Sequence, residues 1–122
     1  MTRPFAAIMA AGAVLAAMPA LAHHSFAMFD QTKLMTLDGT VREFQWTNPH
    51  SWLQLEVAGE ERAVEYSIEL GSPNTMSRRG WRRTTFKTGD RVSVTMNPMR
   101  DGSPGGALIS AVDAAGNRLS LR

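Results

Sequence analysis

Three histidines carry the sharpest chemistry in this chain: His23, His24 and His50. The first two follow Ala20-Leu21-Ala22, so cleavage after Ala22 would free the His23 α-amine beside two imidazoles. An amine and a ring nitrogen from one residue close a chelate on a single ion. A further imidazole, from His50 or His24, completes a T-shaped set of nitrogen donors. Cu(II) favours nitrogen in such a planar arrangement. Protons compete for these donors, since an α-amine titrates at about 7.7–8.0 and an imidazole near 6.5. Copper binding is therefore expected to weaken as pH falls. The competing reading of these residues is a frayed terminus and a turn histidine at a strand end. Met96 and Met99 flank Asn97-Pro98 and offer thioethers to Cu(I), although core packing accounts better for Met96. No other cofactor is indicated.

A second constellation is aromatic. Trp46, Trp52 and Trp81 are many tryptophans for so short a chain. With Asn48 they mark a ligand surface around the turn Thr47-Asn48-Pro49-His50. Alternation along Ser51–Val57 sends Leu53, Leu55 and Val57 to one face and Trp52, Gln54 and Glu56 to the other. An outward Trp52 either binds something or is covered by another segment, for which Phe26 and Phe29 are candidates. Third is the basic run Arg78-Arg79-Gly80-Trp81-Arg82-Arg83, from which Arg78, Trp81 and Arg82 join the candidate ligand-binding residues. Arginines around a Trp would suit single-stranded nucleic acid in a cytosolic protein. Export argues against that partner, and Glu60, Glu61, Glu65 and Glu69 are expected to pair with the arginines.

The spacing excludes the familiar enzyme classes. The chain has no Cys, no Gly-x-Ser-x-Gly elbow, no phosphate loop and no His-Glu-x-x-His. Glu65 and Glu69 would lie about 13 Å apart along a strand. A glycosidase carboxylate pair needs about 5–9.5 Å.

The elements that must position these residues begin after residue 22. Met1–Ala22 has a basic Arg3, an apolar run from Phe5 to Met18, Pro19 and an Ala-Leu-Ala site. That is the pattern of a cleavable secretory signal, and the run is short for a membrane span. The expected location is the periplasm or the exterior, with no membrane span after cleavage. Cleavage leaves 100 of the 122 residues. That is enough for one small domain, whose stability without disulfides comes from packing. It also removes Arg3, leaving 12 Lys and Arg against 11 acids. So near-balanced a charge gives no global pull toward nucleic acid or an anionic membrane.

Residues 23–33 read as an arm and 34–122 as one β domain. Alternation predicts strands over Met35–Trp46, with a turn or bulge at Asp38-Gly39, then Ser51–Val57 and Arg62–Leu70. Inward positions on the third strand are Val64, Tyr66, Ile68 and Leu70; Glu65, Ser67 and Glu69 face outward. Ser72 as N-cap, Pro73 in the first helical position and Gly80 beyond the end define a short helix. Arg91–Met96, Ala107–Asp113 and Arg118–Leu121 complete the strands, with Asn97–Gly106 as a loop. Three strands, a short helix and two to three strands is the order of a small OB-type barrel, mainly β.

Several phrases also carry a family resemblance: HHSFAMFD, EFQWTNPHSWLQLEV, IELGSPNTMSRRGWRR, KTGDRVSV and NPMRDGSPGGAL. Together they resemble a family of small secreted bacterial proteins of unknown function, marked by His-His-Ser-Phe and Thr-Asn-Pro-His-Ser-Trp. The resemblance covers nearly all of the chain after the signal. It implies an exported single domain and supplies no catalytic residues. In donor geometry alone, the histidines are similar to the histidine brace of secreted copper proteins. The three-residue amino-terminal copper motif does not apply, because Ser25 stands where it needs His. The expected role is an exported binding or accessory module, not an enzyme. Its partner would be a small ligand or an envelope protein, with copper binding and structural protein docking as the alternatives.

Overall fold

The structure is a computed structural model that describes residues 24–122, with side chains from Phe26 onward. Residues 1–22, read above as a secretory signal, His23 and the His24 side chain lie outside the described residues.

The elements are α1 (His24–Ala27), β1 (Met35–Gln45), β2 (Trp52–Val57), β3 (Val64–Glu69), α2 (Pro73–Arg78), β4 (Arg91–Pro98), β5 (Gly105–Asp113) and β6 (Arg118–Ser120). The sheet order is β3-β2-β1-β4-β5-β6, and a parallel pairing of β3 with β5 closes a five-strand ring. This connectivity, with a helix between β3 and β4, is the OB-type barrel expected from the order of the elements. Alternation holds on β2, where Leu53 and Leu55 are buried and Trp52, Gln54 and Glu56 are half-buried. The core gathers Val41, Leu53, Leu55, Ile68, Val94, Met96 and Leu108 from five strands. Each such side chain contributes about 1.5–3 kcal/mol when fully buried.

Glycines decide how the ring closes. Gly105 and Gly106 were expected in a loop, yet they begin β5 and pair with Ser67 and Ile68 of β3. A Cβ on Gly106 would sit 2.5 Å from the Asn97 carbonyl oxygen and 2.6 Å from Met96 Sδ. One on Gly105 would sit 2.7 Å from the Ser67 carbonyl oxygen. Strands β3, β4 and β5 meet here at a separation that only a residue without a side chain allows. Gly39 behaves similarly. It is not a turn residue: it pairs with Val92 inside β1, and a Cβ there would meet Glu56 O at 2.5 Å. The bulge of β1 falls instead between Val41 and Glu43.

The short helix follows its punctuation. Ser72 Oγ accepts from the Thr75 amide, Pro73 occupies the first turn, and Gly80 takes φ +89° beyond the end. The Gly80 amide donates to Ser77 O and the Trp81 amide to Met76 O, a Schellman closure. That closure sends Trp81 back into the core. Trp81 is fully buried, packs edge-on to Phe86 at 6.0 Å, and donates Nε1–H to Ser120 O at 3.2 Å.

Candidate binding cleft

The turn before β2 is held by its own polar groups. Thr47 Oγ1 donates to His50 O at 2.7 Å, and the Thr47 amide donates to Ser51 Oγ at 3.3 Å. Ser51 is fully buried; its amide donates to Gly71 O and its carbonyl accepts from the Leu70 amide. These bonds extend the β2–β3 ladder past its named ends. They set the His50 side chain against the last residue of β3.

There His50 Nδ1 lies 3.1 Å from Glu69 Oε1 and 3.3 Å from Leu70 O. The Leu70 carbonyl can only accept, so Nδ1 carries a hydrogen toward these two oxygens and Nε2 is the ring nitrogen left without a protein partner among the described residues. The His50 side chain is 35% exposed and that of Glu69 only 9%. Burial pushes the Glu69 carboxyl above its ordinary value, and the nearby His50 opposes part of that shift.

The alternation of β3 put Glu69 on the solvent face. The register keeps it there beside Trp52, its direct partner on β2. What the pattern missed is the cover. His50 and Glu69 share a cleft of about 150 Å3 with Phe26 and Phe29 of the arm, Leu121 and Arg122. Chain segments far apart in sequence make these walls, so no local periodicity announces them. The one local hint is that His50 and Glu69 sit at the adjoining ends of neighbouring strands.

The arm reaches the cleft by docking on the β4–β5 connection. The Asp30 amide donates to Pro98 O and the Arg100 amide to Met28 O, both at 2.8 Å; Arg100 Nε donates to Ala27 O at 2.9 Å. Phe29 bridges Met99 and is buried, whereas Phe26 is 55% exposed. Asn97 Nδ2 ties the far end of the arm by donating to Lys33 O at 2.8 Å. Of the two phenylalanines, Phe29 is thus buried against the β4–β5 connection, while Phe26 stands largely in solvent at the cleft. Helix α1 starts at His24, two residues before Phe26.

The expected ligand residues do not form one surface. Trp81 is a core residue, drawn inward by the closure of α2, and presents nothing to a ligand. Trp46 is partly buried and packs edge-on to Phe44 at 6.0 Å. Asn48 is exposed in the turn, at a cis peptide bond with Pro49, and Trp52 is half-buried on the outer face. Arg78 and Arg82 are exposed, and Arg82 is tied to Ser77 O and Trp81 O. The pairing expected between the arginines and the strand acids is absent among the described residues: Glu69 turns to His50, and Glu56 pairs with Arg42. Of the metal candidates, only the His50 side chain is described. Among the described residues, no group of three His, Cys, Asp or Glu could hold a metal ion. No helix among them is long and apolar enough to cross a membrane.

A family model matches residues 11–109, which include the 47–51 turn, His50 and Glu69. The chain belongs to a family of unknown function, DUF6152. The DUF6152 match also takes in the arginine run and the glycines that close the barrel. No curated protein matches the chain. Among solved structures it is similar to a mitochondrial single-stranded DNA-binding protein from S. cerevisiae, Rim1, at 13% identity. That similarity covers 67% of this chain and 94% of the other, with a TM-score of 0.49.

Proposed function

We propose that the protein is an exported binding module whose ligand site is the cleft between arm and barrel, and that its ligand is Cu(II). The observation that carries this reading is the fixed imidazole of His50. A metal-binding histidine commonly donates its other ring N–H to a carboxylate or carbonyl, which fixes the tautomer and strengthens the free nitrogen as a donor. His50 Nδ1 has both kinds of acceptor, Glu69 and Leu70 O. The cleft supplies one such nitrogen, and the remaining donors would come from His23 and His24. Removal of residues 1–22 would free the His23 amine. The reading draws support from α1, which starts at His24 and places Phe26 in the wall that faces His50. The chemistry of such a module would be capture of an ion by nitrogen donors, of which His50 is held in place by Glu69 and Leu70 O.

The test begins with protein isolated after export, its start determined by mass spectrometry. A start at His23 and an axial Cu(II) resonance spectrum with nitrogen coupling are expected. A retained Met1, or a copper spectrum without nitrogen coupling, rejects the reading.

A further inference from the structure

We infer that the face formed by α2, the turn after it and β6 is a docking surface for an anionic phospholipid membrane. The charges of this chain nearly cancel in total but are segregated along it. Residues 34–70 contain seven acids and two bases, whereas residues 71–100 contain seven bases and one acid. Four of those seven bases stand together at the end of α2. Arg78 ends α2, Arg79 caps it, and Arg82 and Arg83 follow within one turn. All four are exposed, and among the described residues none of them is in an ion pair.

Strand β6 lies against the same segment. Trp81 Nε1 donates to Ser120 O, and the space above Gly80 is bounded by Leu119. Exposed Arg118 and Arg122 flank those two contacts on β6 and just beyond it. The buried Trp81 is the anchor that fixes this cationic face to the barrel. At the margin stands Phe26, which is 55% exposed and shares the cleft with Arg122. A cluster of basic side chains with an aromatic at its edge suits a headgroup layer, where guanidinium meets phosphate and the ring settles at the interface.

Single-stranded nucleic acid fits less well. Such sites stack bases on exposed aromatic side chains placed among the bases. The two aromatics of this segment, Trp81 and Phe86, are 0% and 5% exposed and cannot serve as platforms.

Co-sedimentation of the purified protein with vesicles tests the inference. Vesicles of phosphatidylcholine with phosphatidylglycerol are compared with phosphatidylcholine alone at 0.15 M and 0.5 M NaCl. A single-stranded oligonucleotide serves as competitor. Binding to the anionic vesicles alone, lost at the higher salt, is expected. The variant carrying Arg78→Gln, Arg79→Gln and Arg83→Gln should bind about a hundredfold more weakly at an unchanged melting temperature, since each cation near such a surface contributes about a factor of five. Arg82 is left in place because it bonds Ser77 O and Trp81 O. Equal binding to both kinds of vesicle, full binding by the folded variant, or displacement by the oligonucleotide at stoichiometric amounts would overturn the inference. Because neither copper nor His50 enters this measurement, its failure is distinguishable from failure of the copper reading.

Discussion

The Glu69 carboxylate stands 3.1 Å from His50 Nδ1, on the outer face of the barrel yet almost closed off from water. A charge in that position is costly unless it is paired. The pair therefore links two properties, the orientation of the one described histidine and the pH dependence of the fold.

Glu69→Gln should separate them. Glu69 has a folded pKa above its ordinary value because of burial. Such a group favours the folded state fully only below its unfolded pKa, about 4.3, and loses that contribution as pH rises through the folded value. Metal-free Glu69→Gln protein keeps an acceptor for Nδ1 and carries no charge to desolvate. It is expected to match or exceed the parent in melting temperature at pH 7, with the gap narrowing as pH falls toward 4. Thermal melts from pH 4 to 7 read this directly, and a gap that widens toward pH 4 contradicts it.

Gly106→Ala should weaken barrel closure. The new Cβ meets the Asn97 carbonyl, which belongs to the β4 ladder and cannot swing aside. Overpacking of this kind costs about 1–3 kcal/mol. The melting temperature should drop by several degrees. Gly116→Ala, in the exposed β5–β6 turn at φ +89°, meets no neighbouring atom and should cost only backbone strain.

Trp81→Ala should be more damaging, by about 3–5 kcal/mol, from lost burial, the edge-on contact with Phe86 and the tilted contact with Phe44. A domain of this size has only about 5–15 kcal/mol in reserve. Denaturant titration should show a much earlier midpoint. Trp52→Ala, at a half-buried position, should change stability far less.

Ser51→Ala removes the hydroxyl that holds the Thr47 amide inside the turn. The expected loss is about 0.5–1.5 kcal/mol, the net worth of an ordinary hydrogen bond, since Thr47 is exposed and water can reach its amide. Hydrogen exchange should rise first at Thr47.

Much of the fold was legible because it is local. Alternation on β2 and the Ser72-Pro73 start and Gly80 stop of α2 each express a rule acting over a few residues. The barrel order followed from those pieces. Gly105 and Gly106 misled because a glycine pair reads as a loop, and only the crossing of β3 past β5 reveals why Cβ atoms are excluded. Trp81 misled for a related reason: among four arginines it looks like surface, while the helix closure that turns it inward lies in backbone bonds. The cleft was half legible. His50 stood out by residue type, but Glu69 looked like one more solvent-facing acid until the arm and the turn covered it.

The most direct test of the cleft is calorimetric titration of Cu(II) into protein that begins at His23, at neutral pH, beside His50→Ala. The parent should bind one ion, and the variant should bind at least tenfold more weakly at an unchanged fold, a difference of about 1.4 kcal/mol. Equal affinity in the two proteins, or no heat in the parent, would contradict the assignment of the cleft.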